Sequence, residues 1–139
     1  VSPISAVDLL PTFCEIAGAP LPSSYKPDGF SQTKALMGQD KETLRKKPLF
    51  WKMPVKTAAD KIQGHHWVTY ATMHNKWKLL ANHDLTYFEL YDIVNDSMEK
   101  IDLKSQKTEV AQDLIQSIQK WKKTLPAKPT GDVFSSLRK

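Results

Sequence analysis

The sequence predicts an α+β fold: a small antiparallel sheet of about four strands covered by a long C-terminal helix, preceded by an N-terminal helix and an irregular connector. Three observations carry this. Short runs rich in aromatic and β-branched residues succeed one another from residue 48 to residue 94, with polar turns between them. Residues 108–125 repeat apolar side chains at helical spacing. Pro20, Pro22 and Pro27, with Ser23 and Ser24, break up the chain ahead of the first strand.

At the start, Ser5 is placed to cap a helix, with Asp8 three residues on. Val7, Leu10, Cys14 and Ala17 form an apolar stripe over about 6–17, which Leu9, Phe13 and Ile16 widen. Pro11 should kink this helix or confine its regular part to the residues after the proline. Gly18 is a natural residue to end it, and Pro20 and Pro22 prevent its continuation. Cys14 is the single cysteine and reads as a buried thiol within the stripe. Asp28-Gly29 marks a tight turn, and a short helix around 31–37 should stop at Gly38. Residues 39–47 are mostly charged and read as an exposed loop.

Pro48-Leu49-Phe50-Trp51 reads as a short strand, and residues 53–66 as a second irregular loop. Residues 67–73 and 77–82 should form a hairpin across His74-Asn75-Lys76, where Asn75 can take a positive φ. Trp77, Leu79 and Ala81 then share one face. Residues 87–94 form a further strand, closed by the turn Asn95-Asp96-Ser97. Thr108 is placed to cap the last helix. Its stripe of Val110, Leu114, Ile118, Trp121 and Leu125 ends at Pro126. A four-stranded antiparallel sheet needs one apolar face covered, and this stripe, centred on Leu114, Ile118 and Trp121, is the available cover. Burying each such side chain contributes roughly 1.5–3 kcal/mol before entropy is counted. Residues 127–139 read as a loosely ordered tail.

The 139 residues are enough for one sizeable core, and no apolar run approaches the ~20 residues of a membrane span. Val1-Ser2-Pro3 has neither the basic lead nor the apolar stretch of a signal peptide, and the missing initiator Met points to an internal start. The net charge of +5 sits wholly in residues 100–139, which hold 9 basic and 4 acidic side chains; residues 1–99 hold 11 of each. Lys120, Lys122 and Lys123 lie at the carboxyl end of the last helix, where its dipole favours them and water solvates them. The aromatics occupy core-like strand positions away from the lysines, which argues against nucleic-acid binding.

No metal site is expected. His65 and His66 are adjacent, His74 and His83 flank the hairpin, and none has metal-ligand spacing. Asp92, Asp96 and Glu99 cluster as a weak calcium site might, but they lack the loop spacing of a dedicated one and read as a solvated acidic turn.

Motif order carries more than any one motif. Asp8-Leu9-Leu10-Pro11-Thr12 with Ala17-Gly18, then Asp28-Gly29, then Pro48-Leu49-Phe50-Trp51, then Ala71 and Trp77-Lys78-Leu79, then Glu89-Leu90-Tyr91-Asp92 with Asp96 and Glu99 succeed one another along nearly the whole chain. In that order they resemble the carboxy-terminal part of a sulfatase of the alkaline phosphatase superfamily, of the arylsulfatase or N-acetylgalactosamine-6-sulfatase-like kind. Met73 and Asn75 depart from the Arg and Gly often found there in that family.

The resemblance implies that residues 1–47 are the end of a large domain plus connector and 48–126 a C-terminal subdomain. It implies a periplasmic or secreted parent that hydrolyses sulfate esters with calcium and a formylglycine made from Cys or Ser. The nucleophile motif of that family needs Pro and Arg at the positions that Ile16 and Gly18 occupy after Cys14, so Cys14 does not fill the role. The family's catalytic and metal-binding residues match nothing from Val1 onward, so no catalytic residue, metal ligand or cofactor is assigned to this chain. The implied role is a non-catalytic part, inactive alone, whose partner is the sulfatase N-terminal catalytic domain. The first helix would normally pack on that domain, so in this chain it should be mobile, repacked or buried in a dimer. By the same analogy loop 53–66, with Lys56, Lys61, His65 and His66, borders the cleft that takes a sulfated carbohydrate. The alternative is a free-standing module that grips sulfated polysaccharide or another polyanion through the basic last helix and the same loop.

Overall fold

The computed structural model describes residues 3–40, 44–53 and 68–126. Four strands, β1 (Leu49–Lys52), β2 (Tyr70–His74), β3 (Trp77–Ala81) and β4 (Phe88–Asp92), pair antiparallel in sequence order. Phe50, Thr72, Leu79 and Leu90 stand opposite one another across the sheet, so they share one face. Tyr70 and Ala81, paired two residues along, belong to the same face.

The C-terminal helix α3 (Thr108–Lys122) covers that face. Ala111, Leu114 and Ile118 are buried against Tyr70, Leu79, Ala81 and Leu90, and Phe50, Trp77, Val110, Ile115 and Trp121 pack around them. Trp121 lies at the margin of this core, half-buried, stacked on Phe50 with ring centroids 5.0 Å apart and set edge-on to Tyr70. Thr108 is the first helical residue rather than the cap; Lys107 takes the cap position, with no side-chain cap hydrogen bond. The fourth strand is shorter than its apolar run because the chain turns from Ile93 onward.

Two turns fix the meander. Asn75 takes φ 54° at the tip of the β2–β3 hairpin, as its position requires. Between β3 and β4, the Asn82 side chain accepts the backbone N–H of Thr86 at 2.9 Å and of Tyr87 at 3.1 Å. Leu85 there has φ 59°, a conformation that costs a branched residue of order 1–3 kcal/mol, offset by packing its side chain against the core.

The N-terminal helix has two parts: a 3-10 turn over Ala6–Asp8 and then α1 (Leu9–Ile16). Pro11 neither kinks α1 nor defers it. It lies in the first turn, where its missing N–H would have had no helical acceptor. Gly18 closes the helix at φ 63°, with Ala19 N–H on Cys14 O at 2.9 Å and Gly18 N–H on Glu15 O at 3.2 Å. A four-residue helix, α2 (Thr33–Leu36), ends the same way at Gly38.

Candidate functional site

The side of α1 that faces the protein is polar. Asp8, Pro11 and Thr12 are buried, while Val7, Leu9, Leu10, Phe13 and Ile16 are exposed. Phe13 keeps 58% of its surface open and Leu10 48%. Cys14 is half-exposed rather than buried. The apolar stripe forms as expected but points to solvent, because the connector grips the opposite side.

That grip centres on Asp8 and Arg45. Both carboxylate oxygens of Asp8 receive the guanidinium, at 2.6 and 3.1 Å, and both side chains are buried. Ser5 N–H donates to Asp8 at 2.9 Å and Phe30 N–H at 3.1 Å. Arg45 donates further to the carbonyls of Pro3 and Lys47 and lies over the Phe30 ring. Its own backbone is held by the hairpin: Arg45 N–H donates to Asn75 Oδ1 at 2.7 Å, and its carbonyl meets His74 Nε2 at 2.9 Å. Thr12 Oγ1 accepts Gln32 N–H at 2.9 Å, which ties α1 to α2. Gly29 passes so close that a Cβ would fall 2.2 Å from the Val7 carbonyl oxygen and 2.6 Å from Asp8. Only glycine fits there.

The reading of 39–47 as an exposed charged loop fits the described residues of that stretch except Arg45, which is buried. Beside two exposed lysines, Lys46 and Lys47, stands an arginine that is among the buried residues of the described part of the chain. The available signal is that Arg45 is one of only two arginines among 20 basic residues, and a planar fork suits a buried carboxylate where an ammonium does not. Both carboxylate oxygens are taken up by the guanidinium and backbone amides, so the pair holds structure and is not set up for proton transfer.

Burial raises the Asp8 pKa, but the Arg45 hydrogen bonds and the Ser5 and Phe30 N–H groups outweigh it and hold the carboxyl below its usual 3.8. A depressed folded pKa means that the stabilisation is whole above the unfolded value and is lost as pH falls through the folded one. Asp92, lowered chiefly by Lys76, acts in the same direction. Urea midpoints should therefore hold steady from pH 7 to 5 and drop below about pH 4; a midpoint unchanged at pH 3 would contradict the role given to Asp8.

Of the acidic trio, Asp92 departs from the reading as a solvated turn, while Asp96 and Glu99 stay partly exposed. Asp92 is buried and takes Lys76 Nζ at 2.8 Å and Asn95 Nδ2 at 2.9 Å. Asp96 accepts Ile101 N–H at 2.8 Å, and Glu99, at φ 54°, pairs with Lys78. Their oxygens serve lysines and backbone amides, so they do not fit calcium, and no group of three potential ligands occurs among the described residues. Lys122 departs from the solvated reading too: its ammonium donates to the His83 carbonyl at 3.0 Å and lies over the Tyr70 ring, while Lys120 and Lys123 are exposed. His74 and His83 are structural, the latter stacked with Tyr70. Lys56, Lys61, His65 and His66 lie outside the described residues, as does the tail from 127.

No protein-family model matches the chain, and no curated protein matches it. Solved structures do. The crystal structure of Ps i-CgsB in complex with k-i-k-neocarrahexaose aligns with a TM-score of 0.66 at 25% identity, covering 86% of this chain and 24% of that one. The 6S-sulf protein from a Bacteroides thetaiotaomicron locus for the metabolism of multiple glycosaminoglycans aligns at 0.56 and 18% identity, with 84% and 24% covered. A 2-O GAG sulfatase aligns at 0.53 and 21% identity, with 88% and 27% covered. The chain thus has the fold of part of a sulfatase chain and spans about a quarter of the length of the solved structures it matches.

Proposed function

We propose that this chain is the carboxy-terminal, non-catalytic part of a sulfatase, a sulfuric ester hydrolase, and is inactive alone. The observation that carries the reading is the alignment of 84–88% of the chain with about a quarter of each sulfatase structure. The open apolar side of α1 supports it: a helix whose polar side is clamped and whose apolar side faces water is built to meet another body. That body is the N-terminal catalytic domain of the parent, which supplies calcium and formylglycine. Residues 1–47 form the end of the large domain and its connector, and 48–126 the small subdomain. Loop 53–66, with Lys56, Lys61, His65 and His66, borders the cleft for a sulfated carbohydrate. The parent works in the periplasm or outside the cell, in the manner of an arylsulfatase.

The reading has a direct test at α1. Phe13→Glu paired with Leu10→Glu should leave the melting temperature within about 2 °C of wild type, since exposed substitutions cost little. The same pair should abolish dye binding to the apolar face and any self-association measured by sedimentation. A fall of about 8 °C or more in melting temperature would show that these side chains already pack within the chain, and the docking role would fail.

A further inference from the structure

We propose that the outer edge of β1 takes an extended, acidic segment of another protein as a fifth strand of the sheet. The two edges of the sheet differ. On β4 the outward groups are taken: Leu90 N–H donates to Asp102 Oδ1 at 3.1 Å, and its carbonyl accepts Leu103 N–H at 2.8 Å. The Phe88 carbonyl accepts Lys104 Nζ at 3.1 Å, and the Asp92 carbonyl accepts Asp96 N–H at 2.7 Å. On β1, Met53 N–H donates to the Thr69 carbonyl at 2.8 Å. Alternation then turns the backbone groups of Leu49 and Trp51 toward β2 and those of Phe50 and Lys52 away from it. The outward N–H and C=O groups of Phe50 and Lys52 have no partner among the described residues. Such a row is a template for one more strand. The space beside it is open: Lys47, Pro48, Leu49 and Phe50 line a groove of about 450 Å³, together with Ser5 and Asp28 among others.

Charge selects the occupant. Residues 46–52 carry Lys46, Lys47 and Lys52 and no carboxylate. All three lysines are exposed and make no ion pair among the described residues. Lys47 and Lys52 stand five residues apart, roughly 17 Å along an extended chain. A matching segment therefore has acidic residues at both ends and residues of high strand propensity between them. Side chains of that centre alternate between Phe50 and Trp51, which belong to opposite faces of the sheet; Trp51 is 42% exposed. The same three lysines repel a second copy of the chain at this edge, as edge lysines commonly do. The chain's own tail holds Lys128, Arg138 and Lys139 against Asp132, so like charge disfavours it there too.

The test is titration of the whole chain with the blocked heptapeptide Glu-Glu-Val-Thr-Val-Glu-Glu at low salt, followed by calorimetry and by backbone amide resonances. Binding should move the Phe50 and Lys52 amide resonances and slow their hydrogen exchange, while Leu90 stays unchanged. Of two peptides N-methylated at alternate residues, one should lose binding and the other keep it, because only every second amide of a strand meets the edge. The double variant Lys47→Gln, Lys52→Gln should weaken binding about tenfold. A control double variant on the β4 side, Lys100→Gln with Lys107→Gln, removes equal charge and should change affinity less than about twofold. All four side chains are exposed, and melting curves verify folding. No binding by the folded chain, equal losses in the two variants, or like behaviour of the two methylated peptides would overturn the site. So would equal binding of a peptide with lysine in place of each glutamate. Protection of the Phe50 and Lys52 amides before peptide is added would also contradict an acidic partner. If that protection rises with concentration, the edge belongs to a second copy; if it does not, it belongs to the chain's own residues. None of these outcomes touches the sulfatase-part reading, which rests on the fold and on α1.

Discussion

Arg45→Ala should lower the free energy of unfolding by about 3–5 kcal/mol, the usual cost of removing one partner from a buried ion pair. The reason is the charge left behind. Asp8 is completely buried, and without the guanidinium its carboxylate keeps only the Ser5 and Phe30 amides. The Pro3 and Lys47 carbonyls lose a donor in the same change. Because the Arg45 backbone is held by Asn75 and His74, the loss would also free the N-terminal segment from the tip of the sheet. Urea unfolding monitored by far-UV circular dichroism measures this directly. Arg45→Lys should fall between the two, since an ammonium cannot engage both oxygens as a fork does. If Arg45→Ala unfolds within about 1 kcal/mol of wild type, the clasp contributes no more than a surface pair does.

Ile118→Ala comes next, at about 2–5 kcal/mol. Ile118 has no exposed surface and sits in the same cluster as Tyr70, Leu79 and Leu90, on the sheet-facing side of α3. Truncation leaves a cavity that the sheet cannot close, because Leu79 and Leu90 are pinned by strand pairing in the β2–β3–β4 ladder. Helical spacing alone makes Trp121 equally central. The structure sets it at the margin, stacked on Phe50, so its truncation should cost less than that of Ile118. Thermal melts of the two single variants rank them, and a larger loss at Trp121 would reverse this assignment.

The sheet, its strand order and the covering helix are legible in the sequence because alternation and 3.6-residue periodicity report burial directly. Asn75 and Gly18 are legible because positive φ restricts residue type. The hidden features are long-range and polar. The pairing of Asp8 with Arg45 joins residues 37 apart, and no periodicity marks it. Gly29 reads as a turn residue, yet its necessity comes from the distant backbone at Val7, which passes within contact of it. Spacing identifies the stripe on α1 as apolar but wrongly buries Cys14, because composition does not say which side of a helix its neighbours occupy. The same limit applies to the acidic turn, where Asp92 is buried against Lys76 and Asn95 while Asp96 and Glu99 stay partly exposed.

The most direct measurement is sulfate release from an aryl sulfate and from a sulfated hexasaccharide by the purified chain, with calcium present. The account predicts no release above buffer at any chain concentration. Sulfate production that rises in proportion to chain concentration, and survives repurification, would contradict a non-catalytic role.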